Sequence, residues 1–356
     1  MAELNDRSQA RNRLAPWAGV VGLIVAGVVV ARASARAARA LDLSGKRILI
    51  TGASRGLGLI LARKLRAEGG HVVLLARNRD SLERARAAVL AEGDDESDVF
   101  TIARDVTDVT GARGVIAEAQ ALLGGPVDIL INNAGIIQVG PMETMTDADY
   151  EEAMRTHFWG PYALVQAVLP SMRARRTGRI VNIASIGGKV SVPHLLPYST
   201  SKFALVGFSG GLRAEVMKDG VYVTTVCPGL IRTGSPRNAW FKGQHRLEYA
   251  WFALSDSLPG VSMSADRCAD LIIDALRHGD AEIVTSAVGK IAAVAHGIFP
   301  GLVIDTLGQI NRLLPGPGEA GTERHTGAES ESPTTRSLLT ALTRAAEARN
   351  NELGGE

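Results

Sequence analysis

A glycine-rich turn between a short apolar run and an amphipathic helix restricts the fold of this 356-residue chain more than any other feature. The apolar run covers 47–51, and the helix that follows the turn is predicted to end at Gly69 and Gly70. Glycines let the backbone approach a pyrophosphate, and a helix amino terminus offers free N–H groups and partial positive charge. The turn therefore predicts dinucleotide binding, with an ordinary glycine-rich loop as the alternative. The predicted contact residues are Gly52, Ser54, Arg55, Gly56, Leu57 and Gly58.

Three further apolar runs, at 71–76, 99–103 and 127–131, alternate with helical patterns at 81–92 and 110–123. Strands that are each followed by a helix imply right-handed crossovers and a parallel, doubly wound sheet, which is an α/β fold. Ligands of such sheets bind at the carboxyl ends of the strands. Asp105 and Val106 follow the third run, so we expect them to meet the adenine edge of a cofactor.

The end of the second run indicates which cofactor binds. A site for NAD usually places an acidic residue there to accept hydrogen bonds from the adenosine ribose. Here the position holds Ala76 and Arg77, and Arg77 together with Arg55 could bind a 2′-phosphate instead. The sequence therefore predicts NADP(H) in preference to NAD(H), with solvated surface arginines as the alternative.

Tyr198 and Lys202 are four residues apart at the start of a predicted helix, so both side chains lie on one face. A cation beside a phenol stabilises the phenolate, which makes the pair a candidate for proton transfer. Ser185 ends the strand predicted at 180–184, and its hydroxyl could converge with the phenol on one carbonyl oxygen. A chance Tyr–Lys pair and a serine that only caps a turn are the alternatives.

Five motifs occur in an order that resembles the classical short-chain dehydrogenase/reductase family, over residues 43–287. The resemblance implies a single Rossmann-type domain of about seven parallel strands that transfers hydride between NAD(P) and a carbonyl or alcohol. The motifs are Thr51-Gly-x3-Gly-x-Gly58, Asn132-Asn-Ala-Gly135, Ser185, Tyr198-x3-Lys202 and Pro228-Gly229.

The same resemblance implies the role of each motif. Tyr198 would be the catalytic acid-base, and Ser185 would hold and polarise the substrate oxygen. Lys202 would bind the nicotinamide ribose and lower the pKa of the tyrosine. Assembly as a homodimer or homotetramer would use the helices that start near Asp147 and Tyr198. The remaining cofactor neighbours would be Asn132, Ala134, Gly135, Pro228, Gly229, Ile231 and Thr233.

The chain departs from the family pattern at His157, where many members carry an asparagine that helps to hold a proton-relay water. This residue lies in a helix predicted over 147–173, with Pro161 and Pro170 as candidate kinks. If the relay depends on the backbone carbonyl and a local helix distortion, His157 can serve, and its imidazole could join the relay. The alternative is a helix residue with no proton role.

The amino-terminal segment, 1–40, carries an uncharged run of eighteen residues at 14–31 with arginines on both sides. A helix of this length would measure ~27 Å, enough to cross a bilayer. It predicts a single-pass membrane anchor with a cytoplasmic catalytic domain, because the chemistry needs a cytosolic cofactor. A cleaved signal peptide ending near Ala33-Ser34-Ala35 is the alternative.

Composition excludes other classes of function. A net charge of +2 gives no reason to expect nucleic acid as a partner. Cys227 and Cys268 are not in a metal-ligand spacing, so we expect no metal site and no disulfide framework.

Residues 233–259 have no clear periodicity but hold five aromatic residues in a chain that is only 4% aromatic. This clustering predicts an apolar pocket for a lipophilic substrate of the steroid, retinoid or fatty carbonyl class, and thus a role in lipid metabolism. A buried patch under a loop is the alternative.

Residues 288–314 are predicted to be an apolar lid or a membrane-associated segment. Residues 315–356 are predicted to be disordered, with a short helix over 335–348. The prediction as a whole is a membrane-anchored oxidoreductase, and the alternative is a non-catalytic NADP-binding scaffold.

Overall fold

A seven-stranded parallel sheet with helices on both faces forms the centre of the molecule. The computed structural model describes residues 26–353 except 28, 92–97, 259–261, 320, 334 and 337–339. The strands, in chain order, are β1 (Arg47–Thr51), β2 (His71–Ala76), β3 (Val99–Ala103), β4 (Ile129–Asn132), β5 (Gln138–Val139), β6 (Gly178–Ile183), β7 (Val221–Cys227), β8 (Ile231–Arg232), β9 (Trp240–Phe241), β10 (Met263–Ser264), β11 (Glu282–Val284) and β12 (His325–Thr326). A helical segment covers 29–38, and the described α-helices that follow it are α1 (Gly56–Ala67), α2 (Arg79–Leu90), α3 (Ala112–Leu122), α4 (Asp147–Met154), α5 (Gly160–Arg175), α6 (Leu196–Val216), α7 (His245–Ser257), α8 (Ala265–His278), α9 (Ala287–Ile298), α10 (Pro300–Asn311) and α11 (Ala341–Arg349).

The order of the central sheet is β11-β7-β6-β4-β1-β2-β3, and every neighbouring pair is parallel. The chain winds outward from β1 to β3 and then returns to β4 on the other side of β1. This reversal creates a crevice at the carboxyl ends of β1 and β4, where ligands of open α/β sheets bind. The predicted Rossmann-type sheet of seven parallel strands is therefore confirmed.

The inner strands of the sheet bury side chains on both faces. Ile48 and Ile50 of β1 pack in one core cluster with residues of α1, α2 and α8, whereas Leu49 packs in a second cluster with α3 and α5. Successive side chains of a strand point to opposite faces, so a strand covered on both sides reads as a continuous apolar run. This is why the sequence shows runs of four or five apolar residues instead of an alternating pattern.

The helix predicted over 147–173 is divided by a π-helical turn at Arg155–Trp159. Pro161 lies in the first turn of α5, where its missing N–H leaves no hydrogen bond unmade, and Pro170 lies inside α5. The prediction of one helix is therefore corrected to α4, a π turn and α5. The distortion precedes the prolines and includes His157.

Most of the predicted membrane helix at 14–31 lies outside the described residues, which include only 26, 27 and 29–31 of it. Among the helices that the structure describes, none has both the length and the apolar character needed to cross a bilayer. The segment that leads into the sheet is attached to it: Arg36 pairs with Asp280 at 3.0 Å, and the Arg39 carbonyl accepts from Arg179 at 2.7 Å.

The carboxyl-terminal segment, for which composition predicts disorder, packs against the rest of the fold where it is described. β12 pairs with β9, which also pairs with β5, and α11 contacts α7. Asn350 is only 1% exposed and donates from Nδ2 to the Thr233 carbonyl at 2.9 Å. The segment is poor in apolar residues, but polar side chains can be buried when each finds a hydrogen-bond partner.

Candidate active site

The glycine-rich turn is closed by direct backbone contacts. A Cβ atom at Gly52, where φ is +64°, would lie 2.7 Å from Ala134 Cα, and one at Gly58 would lie 2.3 Å from the Gly52 oxygen. Any side chain at either position would force the turn open. Leu57 and Ser54 are buried, and Leu57 belongs to the core, so its contact with a cofactor would use only the backbone.

Asn133 holds this turn to the end of β4. Its Nδ2 donates to the carbonyls of Thr51 and Gly52 at 3.1 Å, and Thr51 Oγ1 accepts from the N–H groups of Asn133 and Ala134. We did not predict Asn133 as a site residue, although it is the second residue of the Asn-Asn-Ala-Gly motif. Asn132, which we did predict, is 2% exposed, and its amide nitrogen donates to Asn182 between β4 and β6.

The candidate adenosine side of the site lies at the ends of β2 and β3. Arg77 is exposed directly after β2, and Arg55 Nε lies 3.4 Å from a carboxylate oxygen of Glu352. Asp105 accepts a hydrogen bond from the Thr107 N–H at 2.8 Å, which fixes the turn after β3. The Val106 carbonyl abuts Gly160, where a Cβ atom would lie only 2.6 Å away. The structure thus brings these predicted residues to one edge of the sheet.

Ser185, Tyr198 and Lys202 meet at the carboxyl end of β6. Ser185 follows that strand, and its side chain lies beside Tyr198, the third residue of α6, because a Cβ atom at Gly187 would lie 3.4 Å from Ser185 Oγ and 3.2 Å from Tyr198 Cε1. Lys202 lies one turn further along α6, with Nζ 5.6 Å from the centroid of the tyrosine ring. This ammonium donates to the Ile183 carbonyl at 2.9 Å, which holds it in place beneath the ring. The spacing in sequence therefore does produce a compact cluster.

Burial controls the protonation of this cluster. It raises the pKa of Tyr198, although the neighbouring Ser185 hydroxyl acts in the opposite direction. It lowers the pKa of Lys202 to about 7, because a buried ammonium loses hydration. The net direction for the tyrosine is upward, because burial opposes the charged form of both groups and outweighs the influences that lower the tyrosine pKa. At neutral pH the phenol is protonated and can donate.

His157 is held between the Asn-Ala-Gly loop and α6. Its Nε2 accepts from the Ile136 N–H at 3.1 Å, so Nδ1 carries the proton and donates to Ser201 Oγ at 2.7 Å. Ser201 Oγ in turn donates to the Tyr198 carbonyl at 2.8 Å. Burial, followed by the charge of Lys202, lowers the pKa of His157 well below its ordinary value. The imidazole is therefore neutral, and both of its nitrogens are engaged in contacts that position α6.

Gly135 separates His157 from Lys202. A Cβ atom there would lie 3.2 Å from His157 Nε2 and 3.8 Å from Lys202 Nζ. The loop after β7 is joined to the turn that follows Ser185, because the Pro228 carbonyl accepts a hydrogen bond from the Ile186 N–H at 2.7 Å. Further along, Gly229 abuts Ser286, Ile231 belongs to β8, and the Thr233 carbonyl accepts from Asn350.

The aromatic residues of 233–259 divide between core and site. Phe241, Tyr249 and Phe252 are buried in one cluster, which agrees with a patch packed under a loop. Trp251 is half-buried at the edge of this cluster, as is Tyr198. Trp251 Nε1 donates to Glu248 at 2.7 Å, so the indole is fixed in orientation.

The residues fit a dinucleotide. The first turn of α1 directs the Gly56 N–H at the Asn350 carbonyl oxygen, at 2.9 Å, and a carboxylate of Glu352 lies beside Arg55. These two groups show that the turn accepts negatively polarised oxygen, as phosphate binding requires. Among the described residues, no group of three or more His, Cys, Asp or Glu side chains could hold a metal ion.

The parallel sheet, its switch point and the closed glycine turn define a dinucleotide-binding protein of the Rossmann type. A sequence model of the family described as short chain dehydrogenase matches residues 46–241, and the chain belongs to that family.

Relatives of this chain come from animals and bacteria. A dehydrogenase/reductase SDR family protein 7-like of Anopheles gambiae is 41% identical over 201 residues, which is 55% of this chain and 62% of that protein. The chain thus spans about three-fifths of the length of this relative. A fatty acyl-CoA reductase of Acinetobacter baylyi is 34% identical over 73% of this chain and 82% of that protein.

Solved structures of the same family share the fold. A short-chain dehydrogenase from Streptomyces avermitilis superposes with a TM-score of 0.63 at 30% identity, covering 75% of this chain and 97% of that one. A metagenomic short-chain oxidoreductase in complex with NADP has a TM-score of 0.55 at 28% identity, covering 69% of this chain and 99% of that one.

Proposed function

We propose that this chain is an NADP(H)-preferring oxidoreductase that interconverts a carbonyl and an alcohol on a lipophilic molecule. The observation that carries the proposal is the cluster of Ser185, Tyr198 and Lys202 at the carboxyl end of β6, beside the glycine turn. When bound, NADP(H) supplies or accepts the hydride. The chain itself has to orient the carbonyl and move one proton.

The two hydroxyls carry out that task. Ser185 and Tyr198 can both donate to a substrate oxygen, and the phenol gives up its proton as negative charge develops there. Lys202, with a pKa of about 7, is charged in a large fraction of molecules at neutral pH and stabilises the phenolate. In the oxidative direction the same groups act in reverse.

The preference for NADP(H) is supported by charge at the ends of β1 and β2. Arg55 and Arg77 lie there, and no carboxylate occupies the position after β2 where one would bind a free ribose hydroxyl. The neighbour solved with NADP agrees with this choice. The test is the ratio of kcat/KM for NADPH over NADH, which Arg77→Asp should lower by at least tenfold.

A lipophilic substrate and membrane association are supported by the hairpin of α9 and α10. Gly289 is the only buried residue of these two helices, which pack against each other and expose apolar side chains to the surroundings. A continuous exposed apolar surface of this kind marks an interaction site and fits the interfacial region of a membrane. The exposed residues are Val288, Ile291, Val294, Ile298, Phe299, Leu302, Ile304, Ile310 and Leu313. The fatty acyl-CoA reductase among the relatives favours a fatty carbonyl substrate.

Self-association is supported by exposed aromatic residues of the π turn and of α5 and α6. Trp159 and Phe203 are 47% and 40% exposed, and Trp159 stacks edge-on with Phe158 and Tyr162. Aromatic side chains are enriched at protein interfaces. A homodimer or homotetramer through these helices would cover them.

The deciding experiment measures NADPH oxidation by the full chain with a panel of steroid, retinoid and fatty carbonyl compounds. Tyr198→Phe should reduce turnover by ~10²–10⁴-fold with NADPH binding retained, because only the proton donor is lost. Tyr162→Phe, at a half-exposed site on α5, is the matched control and should keep wild-type activity. A fully active Tyr198→Phe enzyme contradicts the proposed mechanism. NADPH binding without turnover on any compound favours the scaffold.

A further inference from the structure

The carboxyl-terminal segment occupies the glycine-rich turn. α11 ends at Arg349, and the next residues cross the first turn of α1. The Asn350 carbonyl accepts a hydrogen bond from the Gly56 N–H at 2.9 Å, and the Glu352 carboxylate pairs with Arg55 Nε at 3.4 Å. A Cβ atom at Gly56 would lie 2.8 Å from Glu352 Oε1, so no atom of a ligand fits between the two.

These contacts use the groups that bind a phosphate at this kind of site. A helix amino terminus and an arginine attract phosphate because of unpaired N–H groups and positive charge. In this structure a carbonyl oxygen and a carboxylate satisfy both. The segment therefore imitates an anionic ligand at the position where the dinucleotide is proposed to bind.

Four further contacts join the segment to the loops and the helix around the glycine turn. Asn351 Nδ2 donates to the Ser54 carbonyl at 2.7 Å and to the Ser81 carbonyl at 3.3 Å, which joins the turn after β1 to α2. Asn350 Nδ2 donates to the Thr233 carbonyl at 2.9 Å, after β8. Glu352 is 2% exposed and also accepts from Asn238 Nδ2 at 2.6 Å. The segment thus spans from the adenosine side to the nicotinamide side.

α11 anchors this segment to α7. Thr343 is hydrogen-bonded to Ser257 at 2.7 Å and to Asp256 at 3.3 Å, both in buried surroundings. Gly234 packs directly against α11, since a Cβ atom there would lie 2.7 Å from Glu347 Cα. The helix can therefore stay in place while the few residues after it move away from the turn.

We propose that residues 350–352 are an intramolecular competitor for NADP(H), so that the cofactor must displace them from the glycine turn before it binds. The inference rests on the proposed use of NADP(H). A competing segment that is bound for most of the time lowers the apparent cofactor affinity in proportion to the fraction of open molecules. Displacement is feasible because the segment offers Arg55 one carboxylate, whereas NADP(H) carries several phosphate charges.

The test compares the dissociation constant of NADPH for the full chain with that of the double variant Asn351→Ala/Glu352→Ala, by isothermal titration. These changes remove the side-chain contacts with the turn and leave α11 intact. We expect NADPH to bind ~5–150-fold more tightly to the variant, the usual range of such couplings. Leu353→Ala is the matched control, because Leu353 is 55% exposed and belongs to the same segment; it should bind as the wild type does.

Each outcome bears on the proposal. Equal or weaker NADPH binding by the double variant overturns it, and the proposed function then still stands. Absence of NADPH binding by every protein overturns both the proposed function and the inference. A second measurement does not depend on the variants folding: trypsin release of the peptide that begins at Asn350, followed by mass spectrometry. Saturating NADPH should accelerate this cleavage, because the segment leaves the turn; slower cleavage contradicts displacement.

Discussion

Replacement of Lys202 by methionine should stabilise the protein near neutral pH while it removes a candidate active-site cation. Burial lowers the pKa of this lysine from 10.5 to about 7, so the unfolded chain holds the proton more tightly than the folded chain does. At pH 7 that difference costs the wild type ~4 kcal/mol, and the methionine variant avoids it. The variant also leaves the Ile183 carbonyl without its donor, which costs ~1–3 kcal/mol.

The pH dependence distinguishes this reasoning from general repacking. Between pH 7 and pH 9 the unfolded chain keeps the lysine proton and the folded chain loses it, so wild-type stability rises relative to the variant. The rise should approach ~1.4 kcal/mol per pH unit above the folded pKa and total ~2 kcal/mol over the interval, because half of the folded molecules have already lost the proton at pH 7. Lys202→Met should therefore be more stable than the wild type at pH 7 and about equal to it at pH 9.

The assay is urea unfolding of full-length wild type and variant at pH 7, 8 and 9, with the free energy of unfolding compared at each pH. Lys218→Met is the control: Lys218 is exposed, so its substitution should give a difference that does not change with pH. If the wild type and Lys202→Met differ by the same amount at all three values of pH, Lys202 is not buried as an ammonium of lowered pKa, and the reasoning fails.

Two other substitutions test the site and the membrane surface. His157→Asn should keep turnover within ~10-fold and leave the pH–rate profile unchanged. The reason is that an amide can replace the contacts with Ile136 and Ser201, and the neutral imidazole has no free nitrogen. If one of the two pH-dependent limbs of the profile disappears in the variant, His157 has a proton role. The double variant Ile291→Asp/Leu302→Asp should abolish co-flotation of a 26–356 fragment with phosphatidylcholine vesicles. The control variant Val109→Asp/Leu122→Asp, at two other exposed apolar residues, should still float. Unchanged flotation of the first variant contradicts the membrane-associated hairpin.

The parts of the site that could be predicted from sequence are those in which neighbours along the chain determine the geometry. The glycines after β1 needed only a strand before them and a helix after them, and the Tyr198–Lys202 spacing needed only one helical turn. The different contacts of Asn132 and Asn133 could not be predicted, for the opposite reason. Two adjacent asparagines at a strand end point to opposite faces, and the pattern alone does not tell which of them holds the turn and which faces Asn182.

The protonation of the cluster also depends on what the sequence does not contain. Proximity of a lysine argues for a lower tyrosine pKa, but enclosure opposes charge on both side chains, and enclosure follows from the packing of α4, α6 and the loop after β7. A bound dinucleotide would bring phosphate charge near Lys202 and favour its ammonium form. Catalytic competence of the lysine is therefore expected to increase when the cofactor arrives.

Order in the carboxyl-terminal segment depends on its contacts with the glycine turn. Asn350 and Glu352 are buried only because the turn, Arg55 and Asn238 supply partners for their polar atoms. Without those partners, a segment rich in Gly, Glu, Ser and Thr has too little apolar surface to stay folded. Composition alone therefore predicts disorder for this segment, and it does not include the partners that this site supplies. It follows that any ligand that takes Gly56 N–H and Arg55 removes the reason for residues 350–352 to be ordered.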